Sequence, residues 1–263
     1  MRTGAAAARL AADGVHADSG GCTTVMPVTV GQLLRTALNL YRHNLRLVLV
    51  VTVPIVAIVT VLTGLGLGEL SARFNPGPPV RDAEIDFAAL ELVTVPLISA
   101  MLARWVFLTR RGEHIDVADL VANALEVFPA VLLVIVLWLA VSILGFVSLI
   151  VPGVYVFVSW YFVVQAVVID GDRGFAAISR SAALVRGHWW QSALVGIGFR
   201  LAAFVPQGLI VLAFTPVARS TNSYAVVVVA AALTSVVAVP FLAIGATLYY
   251  LELRDAAGSA ATV

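Results

Sequence analysis

The chain has 263 residues, 61% of them hydrophobic and 12% charged, with a formal net charge of +1 and a mean hydropathy of +1.00. Soluble domains carry about 25% charged and about 45–50% apolar residues, so lipid has to cover part of this surface. A soluble globular enzyme, a disordered chain, a disulfide scaffold and a nucleic-acid binder are excluded, and the fold class expected is all-α, a polytopic membrane helical bundle.

Residues 1–26 are rich in Ala, Gly, Asp and Ser, the composition of a disordered tail. They lack the apolar core of a secretory signal, Met26 competes with Met1 as the start, and the single Cys22 excludes an internal disulfide. From Thr29, apolar residues recur at Leu33, Leu34, Ala37, Leu38, Tyr41 and Leu45, predicting an amphipathic helix that lies in the headgroups.

A first span is expected at 47–67 and a second at 87–108, with Glu91 and Arg104 towards its ends. Residues 127–169 run uncharged for 43 positions, about 65 Å as one helix at ~1.5 Å per residue. That is two crossings, 127–149 and 153–169, divided by Val151-Pro152-Gly153. A fifth span, 190–214, contains Arg200, and a sixth covers 224–251; the count falls to five if Arg200 breaks the fifth. Two more interfacial helices are expected at 116–126 and about 175–185, so that each of the three precedes an odd-numbered span. The recurrence of Thr36-Ala37-Leu38, Asn123-Ala124-Leu125 and Ala182-Ala183-Leu184 reads either as three helix-plus-hairpin units or as the lead-in that any span requires. The six-span domain thus covers 27–255, followed by a flexible tail at 256–263.

Eleven arginines fall in 1–46, 109–126, 170–188 and 252–263, against Arg73, Arg81 and Arg219 on the other side. This bias places both termini in the cytoplasm, in a multi-pass protein of a bacterial plasma (inner) membrane. Trp105, Trp189, Trp190, Tyr249 and Tyr250 fall where interfacial aromatic belts form.

Arg200 lies near mid-membrane, where a charge costs about 2.5–3.5 kcal/mol on insertion scales. It calls for a partner facing the bundle interior, and Glu91 is the acid well inside a span. Gln207 and Gln165 complete the intramembrane polar candidates. Arg173, Arg180, Ser181 and Arg186 are candidates for the phosphates of anionic headgroups, since guanidinium forks match phosphate oxygens. Asp170 and Asp172 flank Gly171 but lack a third metal ligand, and His16, His43, His114 and His188 show no metal spacing. No nucleophile elbow, phosphate loop or dinucleotide fingerprint occurs; Gly64-Leu65-Gly66-Leu67-Gly68 closes a span. No catalytic residue, cofactor or metal is assigned.

From Val151 onward the chain reads Val-Pro-Gly-Val-Tyr, Val-Val-Ile-Asp170-Gly, Gly174-Phe-Ala-Ala-Ile-Ser-Arg180-Ser181, Leu184-Val-Arg-Gly and His188-Trp-Trp. Together with Val30-Gly-Gln-Leu-Leu and the ending Pro240, Tyr249, Tyr250, Glu252-Leu253-Arg254, this resembles the bacterial glycerophosphoryl diester phosphodiesterase membrane domain family and related six-span proteins. Asp170 stands where that family more often has Glu, and Ala182 where it has an aromatic. The resemblance covers about 27–255 and implies a membrane protein of unassigned activity. The soluble catalytic barrel fused to such domains elsewhere has no counterpart here, because its early His-Arg-Gly is missing. The first functional expectation is a non-enzymatic scaffold or accessory module in envelope or lipid homeostasis, acting with a membrane or cytoplasmic protein partner. The alternative is a small-molecule or lipid transporter with a polar cavity near Glu91 and Arg200. A closed bundle favours the first and an open cavity at mid-membrane the second.

Overall fold

A computed structural model describes residues 29–62, 79–113, 116–148, 150–221 and 223–260. The expectations for 1–26, for Gly64–Gly68 and for His114 lie outside them. The described residues form helices and no strand: α1 (Val30–His43), α2 (Leu45–Leu62), α3 (Pro79–Arg110), α4 (Val117–Ser148), α5 (Ile150–Ser159), α6 (Val163–Gln165) running into a π-helical stretch Ala166–Asp170, α7 (Phe175–Val185), α8 (Trp189–Thr221) and α9 (Tyr224–Ala260). Four segments are long and apolar enough to cross a membrane: Val117–Val147, Ile150–Asp170, Trp189–Thr221 and Ala225–Gly258. A fifth is obtained if α1 and α2 are taken as one span bent by 79°.

The apolar stripe read from Thr29 forms α1, which buries Leu33 and Ala37. Its first turn is closed by the Gln32 side chain, whose Oε1 accepts the Thr29 N–H at 3.2 Å. The chain turns at Asn44, whose Nδ2 donates to the Leu40 carbonyl at 3.0 Å. The stripe at 116–126 is not a separate element: it forms the opening turns of the 32-residue α4, because Glu126-Val127-Phe128 carries no breaker and Pro129 does not interrupt the helix. Likewise α8 runs unbroken through Arg200. The C-terminal boundary at 255 also shifts, since Ala256, Ala257 and Ala260 are good helix formers and α9 continues to Ala260.

The reversal inside the long uncharged run falls just before Pro152. Pro152 sits in the first turn of α5, where its missing N–H costs nothing. The two arms meet through glycines: a Cβ on Gly145 would lie 2.9 Å from the Gly153 Cα, and one on Gly153 would lie 2.7 Å from the Phe146 ring. Only hydrogen fits at both positions.

The core centres on α9, which packs against α1, α2, α3, α7 and α8. Small residues allow this approach. A Cβ on Gly245 would stand 2.1 Å from the Phe199 ring, which fixes the register of the antiparallel α8–α9 pair by setting 199 beside 245. The opposite face of α8 is apolar and exposed at Leu201, Phe204, Val205, Leu209 and Leu212, a face suited to contact with lipid or protein. Trp190 is exposed at the start of α8. The interfacial belt expected of Trp105, Tyr249 and Tyr250 is not found: all three are buried, Tyr249 and Tyr250 against the fully buried Phe162 with ring centroids at 5.7 and 6.2 Å.

Candidate functional site

An elongated cavity of about 860 Å³ opens between α8 and α9 on one side and α3, α4 and residues 160–165 on the other. On α9 its wall is a stripe of short side chains, Ala230, Ala231, Thr234, Ser235 and Ala238, recurring every three to four residues from Val226 to Ala246. The bundle therefore holds a space along about 30 Å of helix, because most side chains on this stripe are too short to fill it. Arg200, Gln207 and Arg219 reach it from α8, Glu91 from α3 and Gln165 from α6. All four intramembrane polar candidates thus line one space.

They do not pair as expected. No ion pair joins Glu91 to Arg200 among the described residues. The Glu91 carboxylate instead accepts a short hydrogen bond from the Ser235 hydroxyl. Register explains this correction. Arg200 lies at the level of Gly245, ten residues along α9 from Ser235, a separation of about 15 Å. That exceeds the reach of an arginine. Arg200 lies instead within electrostatic range of the Tyr161 hydroxyl. One turn further, Gln165 is only 4% exposed and its Oε1 has no hydrogen-bond partner; nor has Nε1 of Trp138, and both residues line the same cavity. Buried polar atoms are nearly always partnered, so this end of the cavity is matched to a polar guest.

Beyond Ala246, the last α9 residue of the cavity wall, Phe162 packs on the Tyr249–Tyr250 pair, and next to them lies an ion cluster. Asp170 ends the π-helical stretch with its carboxylate 12% exposed. Its Oδ2 accepts from Arg180 Nε at 3.1 Å and from the Tyr250 hydroxyl at 2.5 Å, while its Oδ1 faces Arg254 Nε at 3.3 Å. The hydrogen bond to Asp170 raises the Arg180 guanidinium above its ordinary pKa. Arg110 pairs with Glu252 at 2.7 Å in the same layer.

The headgroup candidates separate in consequence. Arg173 and Arg186 are exposed. Arg180 is held by Asp170, which also removes Asp170 as a cation ligand alongside Asp172. Ser181 is fully buried, contrary to a headgroup role: its hydroxyl accepts the Phe162 N–H at 3.3 Å and donates to the Ser159 carbonyl at 2.9 Å. It thereby bridges the gap between α5 and α6, where the helical ladder is interrupted.

Sequence reasoning missed Tyr250 and Arg254 as partners of Asp170. Their separation of some eighty positions leaves no local spacing to read; the signal was the tyrosine pair and Leu253-Arg254 ending noted in the family resemblance. No protein-family model matches the chain, and no curated protein or solved structure is similar to it.

Proposed function

We propose that this chain is an integral membrane protein that binds, and carries across or within the bilayer, an amphiphilic small molecule or lipid. The observation that carries this reading is the single cavity that gathers Arg200, Glu91, Gln165 and Gln207. Its volume lies in the range of about 300–1,000 Å³ typical of small-molecule sites. Ionisable side chains inside a span are costly and mark ligand or ion pathways by default. A scaffold needs no such space.

In this reading the six crossings are α2, α3, α4, the α5–α6 unit, α8 and α9. The termini are cytoplasmic, as the arginine bias requires, and the membrane is a bacterial inner membrane. At 32, 32, 33 and 37 residues, α3, α4, α8 and α9 outrun the ~20 needed to cross ~30 Å of hydrocarbon. Their ends therefore stand in the headgroup zones, with α1, the start of α4 and α7 at the cytoplasmic face. The resemblance to the phosphodiesterase membrane domain family agrees with a membrane part that needs no catalytic barrel.

Native mass spectrometry of the full chain released from its own membrane tests the proposal. The expected spectrum carries one small molecule or lipid enriched over its share in the surrounding bilayer. Bulk lipid in bilayer proportion, with a stoichiometric protein partner recovered by crosslinking instead, would favour the scaffold and contradict the proposal.

A further inference from the structure

We infer that the guest is an amphiphile with an acidic head, a carboxylate or a phosphate, seated at Arg200 with its apolar tail along the α8–α9 wall. This rests on the ligand-binding reading above and adds the class and orientation of the ligand.

The charges that line the cavity are Arg200, Arg219 and Glu91, a positive excess that selects an anion. Arg200 has no acidic partner among the described residues, so its guanidinium fork is available to two oxygens of a carboxylate or phosphate at once. The polar atoms left unpartnered at Gln165 and Trp138 face the same cavity. The indole N–H donates to a head oxygen, and the Gln165 amide oxygen accepts from a head hydroxyl or a water carried with it, so binding relieves groups that are otherwise buried at a cost.

Glu91 fixes the direction. Held by Ser235 about 15 Å along the helix axis from Arg200, it repels an acidic head in that half of the cavity. Along that wall Ala230, Ala231, Val211 and Phe214 offer an acyl chain an apolar strip, with Gln207, Thr215 and Thr234 beside it and Arg219 at its far end. Beyond Arg200, Phe162 and Tyr250 pack on each other and neither lines the cavity, so the long apolar wall on the other side is the one that suits the tail.

The test is equilibrium binding of radiolabelled palmitate to the full chain in lipid nanodiscs, with unlabelled hexadecyl phosphate, methyl palmitate and hexadecyltrimethylammonium as competitors. Palmitate or hexadecyl phosphate is expected to bind saturably, and whichever competes more strongly identifies the head. The neutral ester and the cation are expected to be at least about tenfold weaker. Arg200→Gln should weaken the acid at least about tenfold and leave the ester unchanged, with Arg200→Lys in between. The inference is overturned if the ester or the cation competes as well as the acids, or if a folded Arg200→Gln protein binds the acids like the parent. Should that variant not fold, the ranking of the four compounds on the parent protein decides alone. Strong binding of the ester or cation removes only the acidic head and leaves the cavity reading standing; saturable binding of none of the four contradicts both.

Discussion

A single hydroxyl satisfies the break inside the apolar segment Ile150–Asp170. Between Ser159 and Val163 the backbone leaves the helical ladder inside an apolar candidate span, and an unpaired carbonyl or N–H in hydrocarbon costs several kcal/mol. Ser181, delivered from α7, satisfies one group on each side of the break. Ser181→Ala therefore strands the Ser159 carbonyl and the Phe162 N–H together, with an expected loss of about 1–3 kcal/mol, read as a lowered melting temperature in detergent. Ser181→Thr keeps the hydroxyl and is expected to retain most of the stability. Equal melting of the parent and the Ala variant would show that the break is satisfied in another way. Arg200 is the contrasting residue: no acidic side chain pairs with it among the described residues, and the proposed function gives it a ligand instead.

At the scale of elements, Asp170 ties three segments together. It stands at the end of the π-helical stretch and holds Arg180 of α7 and both Tyr250 and Arg254 of α9. The Arg180 and Arg254 side chains are 40% and 32% exposed, so water compensates them when the carboxylate is removed. Asp170→Asn is accordingly expected to cost only about 1–2 kcal/mol, yet to loosen α7 from α9. Hydrogen exchange should show faster exchange in Phe175–Val185 with the remainder of the bundle little changed; uniform change across the chain, or none, would contradict this tie. Sequence periodicity was sufficient for the presence of α1, α7 and α9, because an apolar stripe or a long uncharged run is a local property. It was insufficient at 116–126, where an amphipathic lead-in and a span carry the same helical period and nothing between Leu125 and Phe128 separates them. It also failed at Tyr249 and Tyr250, since an aromatic pair at a span end has the same letters whether it meets headgroups or, as here, Phe162 and Asp170 in the core.

For the whole molecule, the candidate site was legible by residue type and not by pairing. Arg200, Glu91, Gln207 and Gln165 stand out in the sequence because polar groups are rare in such segments, and the structure gathers them around one cavity. That Glu91 meets Ser235 rather than Arg200 depends on the α8–α9 register, set by the contact of Gly245 with Phe199 and by no feature of either helix alone. The central claim is that this cavity is open to water inside the membrane, and the chain's single cysteine makes it directly testable. In a Cys22→Ala background, Ala231→Cys and Thr234→Cys place a thiol on the cavity wall, and Leu209→Cys and Leu212→Cys place one on the outer apolar face of α8. A charged, membrane-impermeant thiol reagent applied to membranes is predicted to modify the first pair and spare the second. Modification of both pairs alike, or of neither in protein freed of bound amphiphile, would contradict an accessible cavity and with it the function proposed for this protein.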